Sequence, residues 1–396
     1  MNEIILHPKK EESIKRFHPW IFSGAIARKP ESIASGDTVR VLSSGGDFLG
    51  IGHYGGGSIA VRLFSFADEP VDEQFWQRRL QQALNMRLRL NLISSATNVC
   101  RLVNGEGDLM PGLIVDYYNG AAVIQTHSTS MFLLRPLIAR LLIENPALPI
   151  TSVYDKSEKT LTIKNAADRI RLNPQDGYLV GNCSIPHTIR EHDNLFEVNW
   201  EEGQKTGFFI DQRENRRLLQ HYAADRDVLN MFCYTGGFSV YALRGNARSV
   251  CSVDASSKAI ELTDRNVALN FPDAPHSAVV ADAFEFLHNS DNCYDLIILD
   301  PPAFAKRRFA LRQALQAYKR LNAKALDKIR SGGLLFTFSC SQVVPKESFR
   351  EAVFSAAAIA GRYVRILHQM EQPADHPVNI FHPESEYLKG LVLWVE

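Results

Sequence analysis

The chain has 396 residues, 45% of them hydrophobic, and its 44 basic side chains are balanced by 44 acidic ones. That length exceeds what one core usually organises and predicts two or three domains, while zero net charge excludes a uniformly basic nucleic-acid binder without excluding a basic patch. No apolar run approaches the roughly 18 residues that cross a bilayer, and the N-terminus lacks the basic start and apolar core of a signal peptide. The expectation is therefore a cytoplasmic protein with no membrane partner.

Residues 1–68 read as short strands between turns: Thr38–Leu42 after Gly36-Asp37, another strand beyond Gly45-Gly46-Asp47, then Ala60–Phe66. They predict a small β-barrel or sandwich. Residues 69–190 open with a helix over Val71–Ile93, where Phe75, Leu80, Leu84, Leu88 and Leu92 recur at helical spacing. Strands follow at Cys100–Val103, Leu113–Tyr117 and Ala121–Thr126, then a helix near Met131–Leu142, a strand at Val153–Asp155 and a strand pair around Leu161–Leu172. This predicts a small central α+β domain.

From residue 191 to 396 the pattern becomes regular alternation, with strands at Val228–Phe232, Val250–Val253, Ala278–Val280, Leu296–Leu299 and Gly333–Phe338 separated by helices. Such spacing means crossover connections and a doubly wound α/β sheet. The six cysteines, Cys100, Cys183, Cys233, Cys251, Cys293 and Cys340, form no CxxC pair, so reduced thiols and no metal site are expected.

Open α/β sheets bind ligands beyond the carboxyl ends of their strands. The loop after the first strand of the alternating region runs Phe232-Cys233-Tyr234-Thr235-Gly236-Gly237, and its glycines allow close backbone approach. It is neither GxGxxG nor a Walker loop, which favours a ligand without phosphates. The second strand ends at Asp254, the place where a carboxylate meets ribose hydroxyls, although a helix N-cap is the alternative there. The third strand ends in Ala281-Asp282-Ala283 and the fourth in Asp300-Pro301-Pro302, so three strands deliver an aspartate to one edge. Proline after Asp300 restricts the backbone there to extended geometry.

These features resemble the class I S-adenosylmethionine-dependent methyltransferases, with a Rossmann-like domain. The fifth strand is followed by Ser339-Cys340-Ser341. A buried inert thiol is the common fate of such a cysteine, but beside a methyl donor Cys340 suggests covalent catalysis on a pyrimidine. Together with Thr206–Arg213, Ala374–Pro377, Tyr387–Gly390 and His18–Gly24, the chain resembles the RlmI family of 23S rRNA (cytosine-5) methyltransferases over almost its whole length.

That resemblance implies an N-terminal PUA domain, a central α+β domain and a C-terminal Rossmann-like methyltransferase. It implies S-adenosyl-L-methionine as cofactor, held by Gln212, Phe232, Tyr234, Thr235, Gly236, Gly237, Asp254, Asp282, Ala283 and Asp300. It further implies Cys340 and Asp300 as catalytic residues and RNA, 23S rRNA or a ribosomal precursor, as partner. Many RNA cytosine-5 enzymes carry a second cysteine after the double proline, whereas this chain has Ala303; His376 or a bound water are the candidates for the missing base. Lys306, Arg307, Arg308 and Arg312 are placed to meet RNA phosphates or simply solvent. Whether the protein is a monomer or a homodimer is open. Two other readings stand beside this one: methylation of an exocyclic base nitrogen, and an RNA-binding protein that has lost catalysis.

Overall fold

The computed structural model describes residues 1–161, 163, 166–291 and 293–396. Two compact units emerge. The first comprises residues 1–189, 198–210 and 374–385, and the second residues 190–197, 211–373 and 386–396.

In the first unit, β1 (Asn2–Leu6), α1 (Glu12–Lys15), β2 (Trp20–Phe22), β3 (Ile26–Arg28), β4 (Thr38–Leu42), β5 (Phe48–Tyr54) and β6 (Ile59–Ser65) come first. Their strands form a six-stranded sheet ordered β2-β6-β5-β4-β1-β3 around Ile4, Leu6, Val39, Val41 and Val61. Next is α2 (Glu73–Arg89), started by Asp72, whose carboxylate accepts the Phe75 amide at 2.9 Å. Its Phe75, Leu80 and Leu84 are buried, as the helical spacing requires.

β7 (Val99–Asn104), β8 (Leu113–Tyr118), β9 (Ala121–Thr126), α3 (Thr129–Ile143), β10 (Ser152–Asp155), α4 (Ala166–Leu172) and β11 (Gly177–Val180) follow, the strands ordered β11-β10-β9-β8-β7. Among the described residues the strand pair expected around Leu161–Leu172 is not found. Residues 162, 164 and 165 lie outside the described residues, and the rest of the stretch holds α4. A run of seven residues with four apolar side chains suits either period, and the helix prevailed here.

β12 (His187–Glu191) pairs with β13 (Asn194–Val198). The second unit then alternates: α5 (Arg213–Tyr222), β14 (Asp227–Met231), α6 (Gly237–Arg244), β15 (Ser249–Asp254), α7 (Ser257–Asn270), β16 (His276–Val280), α8 (Ala283–Asn289), β17 (Tyr294–Leu299), α9 (Leu311–Asp327), β18 (Ile329–Ser339), α10 (Lys346–Ile359), β19 (Val364–Met370) and β20 (Lys389–Val395). The sheet order is β16-β15-β14-β17-β18-β20-β19, parallel except for β20.

Helices on both faces bury β14 and β17, which explains their unbroken apolar runs. Leu229, Ile297, Leu299 and Leu335 are fully buried, each contributing about 1.5–3 kcal/mol; a charge at Leu299 would break this layer. Strand order reverses between β14 and β17, the switch point where such sheets open a ligand crevice. Val253, Met231, Leu299 and Thr337 share one level across four strands. One residue further stand Phe232 and Asp300, just beyond the ends of their strands, and Asp254, the last residue of β15.

Candidate active site

The loop from β14 into α6 is shaped before any ligand arrives. Phe232 and Tyr234 take left-handed backbone, with φ of +60° and +47°, which costs a bulky residue roughly 1–3 kcal/mol. Hydrogen bonds to β15 and α7 hold this strain. The Tyr234 amide donates to Asp254 Oδ2 at 3.0 Å, and the Cys233 amide to the Val253 carbonyl at 3.1 Å. Thr263 donates its hydroxyl to the Tyr234 carbonyl at 3.0 Å and Asn266 its amide to the Thr235 carbonyl at 2.8 Å. Gly236 sits at φ +73°, and a Cβ there would lie 2.8 Å from Thr263 Cγ2, so no other residue fits. A Cβ at Gly237 would come 3.0 Å from Arg216 Cδ. Arg216 is itself fixed by a buried two-pronged pair with Glu191 at 2.9 and 2.8 Å.

Asp254 is not a helix cap. Ser256 caps α7, accepting the Ala259 amide at 3.3 Å, and the second Asp254 oxygen accepts the Ser256 amide at 3.0 Å. Each carboxylate oxygen keeps acceptor capacity for a ribose hydroxyl. Asp282 differs, because its Oδ1 accepts the Phe284 and Glu285 amides at 2.8 and 3.1 Å and caps α8. Asp282 thus caps its helix from the end of the third strand, with Ala283 buried as the first residue of that helix.

Gln212 is buried, its Oε1 accepting from Asn215 Nδ2 at 2.6 Å. Beside it, Asp211 Oδ2 accepts the Tyr387 hydroxyl at 2.6 Å. The run Thr206–Arg213, continuous in sequence, is divided between the units after Ile210.

The Cys340 thiol lies 3.9 Å from the carbonyl of Pro301, so it adjoins the double-proline turn that Asp300 opens. Ser341 ties the two loops together by donating its hydroxyl to the Ala305 carbonyl at 2.6 Å. The next anchor was missed from the sequence. Lys389, paired with Ser339 across β18 and β20, donates from Nζ to the carbonyls of Ser341 at 2.6 Å and Val344 at 2.8 Å. Burial lowers its pKa to about 8, partly opposed by negative charge at Cys340 and Glu386. Only its place in the Tyr387–Gly390 stretch marked it in the sequence. An ammonium beside a thiol favours the thiolate.

Phe304 packs on Tyr318 at 4.7 Å between ring centroids, and burial raises the Tyr318 pKa to about 12. That ring is turned to the core instead of standing free for a base. His376 is buried in the first unit, with Nδ1 2.9 Å from the Asp375 carboxylate, a structural histidine's setting.

His18, His382 and Glu384 bring potential ligand atoms within 4.8 Å of one another. His18 Nδ1 lies 3.2 Å from the Trp20 amide and 3.4 Å from the Trp20 carbonyl, and its Nε2 lies 3.4 Å from Glu384.

Residues 4–66 match the PUA-like domain family, and residues 159–382 match the S-adenosylmethionine-dependent methyltransferase family. A ribosomal RNA large subunit methyltransferase I from Alteromonas mediterranea is 39% identical over 98% of both chains. One from Klebsiella pneumoniae (strain 342) is 36% identical, covering 98% of this chain and 96% of that one. Among solved structures, a methyltransferase crystallised with S-adenosylhomocysteine superposes with a TM-score of 0.85 at 23% identity, over 99% of this chain and all of the other.

Fold, strand-edge loop and family matches define an S-adenosylmethionine-dependent RNA methyltransferase with a PUA-like domain and a Rossmann-like catalytic domain. More narrowly, the chain belongs to the ribosomal RNA large subunit methyltransferase I family. Among the described residues, no helix is long and apolar enough to cross a membrane.

Proposed function

We propose that this enzyme methylates carbon 5 of a cytosine in 23S rRNA through a covalent adduct of Cys340. The observation that carries the reading is the thiol at the Asp300-Pro301 turn, on the sheet edge that also presents the glycine loop and Asp254.

The residues at this edge fit the methyl donor, since Gly236 leaves room that a Cβ would fill and Asp254 retains acceptors for ribose. In this reading Phe232, Tyr234, Thr235, Gly236 and Gly237 pass the amino-acid part. Asp282 and Ala283 lie towards the adenine, and Gln212 and Asp300 border the donor. Bound S-adenosylmethionine supplies an electrophilic methyl on a sulfonium. Carbon 5 of cytosine is too weak a nucleophile to take it unaided.

Cys340 gives its proton to solvent and adds as thiolate to carbon 6, and the displaced electron pair makes carbon 5 nucleophilic. Asp300 hydrogen-bonds the ring nitrogen or exocyclic amine and offsets developing charge. After methylation the carbon 5 proton leaves to a bound water, the carbon 6–sulfur bond breaks, and Cys340 returns as thiolate. Ala303 offers no base for this step, and His376 is engaged by Asp375. The target base must be unpaired or flipped. Residues 1–68 serve RNA binding, 69–190 form a central domain, and 191–396 carry the chemistry.

Exocyclic nitrogen methylation is disfavoured because Phe304 packs on Tyr318 and Cys340 would have no task. RNA carrying 5-fluorocytosine should arrest an adduct with the wild-type protein and none with Cys340→Ala. Normal methylation by Cys340→Ala overturns the covalent route. Nucleoside mass spectrometry of 23S rRNA from a deletion strain should show loss of one 5-methylcytosine.

A further inference from the structure

The turn after Asp300 and helix α9 form a one-sided charged surface. Between Pro301 and Leu326 the sequence holds seven lysines and arginines and no aspartate or glutamate, in a chain whose net charge is zero. Arg312, Gln316, Arg320 and Lys324 recur every fourth residue and are all exposed, which lines them along one stripe at steps of about 6 Å. Ala314, Tyr318, Leu321 and Ala325 on the other face are buried in the core. Among the described residues the stripe's cations enter no ion pair, whereas Arg330 near the helix's far end is neutralised by Asp227 and Asp295 at 2.9 and 3.0 Å.

At the foot of the stripe stands Phe309, 83% exposed, with Lys306, Arg307 and Arg308 just before it. It makes no ring contact among the described residues. A fully hydrated large aromatic amid cations gains nothing for folding, but it matches the stacking platform of proteins that hold unpaired nucleic acid. The turn is also fastened to the thiol's loop through Ser341 and Ala305, so the stripe starts at the catalytic edge.

We propose that α9 and the turn before it dock the single-stranded RNA adjoining the target base, with Phe309 stacking on an unpaired base and Arg312, Arg320 and Lys324 tracking its phosphates. The proposal rests on RNA being the substrate, as argued above. Phosphate contacts set affinity and salt dependence, while stacking adds a salt-independent share. The duplex surface offers no free base face, so Phe309 selects single strands.

The full-length protein should be titrated with a fluorescein-labelled, unstructured cytidine-containing RNA at several salt concentrations. Arg312→Gln/Arg320→Gln/Lys324→Gln should weaken binding at least tenfold at low salt and lower the slope of log affinity against log salt by about 2. Phe309→Ala should weaken binding roughly tenfold with the slope unchanged. Both variants should bind S-adenosylmethionine and melt as the wild type does, and raise KM for RNA while keeping kcat at saturating RNA. Wild-type affinity and slope in both variants overturn the docking surface, and equal competition by a duplex of the same sequence overturns the single-strand assignment. If the wild-type protein binds no RNA at all, the RNA methyltransferase reading fails instead.

Discussion

The loop after β14 and the loop after β18 leave the same edge of one sheet, yet they are held by different means. The first is strained backbone locked by neighbours that come soon after it in sequence: Asp254, Thr263 and Asn266. The second is fastened mainly by one buried ammonium, Lys389, from the last strand of the sheet. A ligand pocket that relies on backbone shape needs many small anchors, whereas a nucleophile benefits from an anchor that also carries charge.

Substitution should separate the two loops cleanly. Cys340→Ser should lower turnover on the order of a thousandfold or more while S-adenosylmethionine affinity measured by calorimetry stays within twofold; a comparable loss of donor affinity would mean the loops are not independent. Asp254→Ala removes the bond to the Tyr234 amide together with the proposed ribose acceptor, and should weaken donor binding roughly ten- to a hundredfold. Retained donor affinity would move the ribose site elsewhere.

Lys389→Met should lower kcat roughly tenfold with donor affinity intact. The side chain is charged below about pH 8 and loses its proton above it, so the wild-type rate should fall as pH rises through that value and the variant's rate should not. An unchanged alkaline limb in Lys389→Met would reduce the lysine to a structural tie.

The smallest effect on the reaction lies outside both loops. His53 sits between Phe64 and Trp76 with burial holding its pKa at about 3. A histidine depressed in the folded state contributes stability that is present above pH 6.5 and is lost as pH falls towards 3, by about 1.4 kcal/mol per unit. His53→Phe should flatten the acid side of the melting-temperature profile. A first unit that softens in acid equally with and without His53 would place the acid sensitivity elsewhere.

Much of the strand pattern could be read from the chain because its determinants are local. Thr38–Leu42 and Ala121–Thr126 form strands with the expected bounds, and alternation of strand and helix announced the crossover sheet. Where contacts span long sequence distances, reading failed. Nothing near Lys389 says that β20 inserts between β18 and β19, so its hold on the Cys340 loop was invisible. Residues 198–210 and 374–385 join the first unit for the same kind of reason. Asp282 shows the opposite case, a strand-end acid whose two amide partners are the next residues but one and two, so its capping role was as legible in the sequence as its place in the pattern of three aspartates.

The position of β20 has a consequence for the order of assembly. Every other strand of its sheet precedes it in the chain, and its pairing with β18 closes a loop of about fifty residues between Cys340 and Lys389, a slow, high-contact-order event. During synthesis β14 to β18 emerge before β20, so the thiol's loop lacks its Lys389 anchor until β20 is available. The loop after β14 therefore has its anchors, Asp254, Thr263 and Asn266, before the loop after β18 has Lys389, and the second loop takes its shape late in the assembly of the sheet.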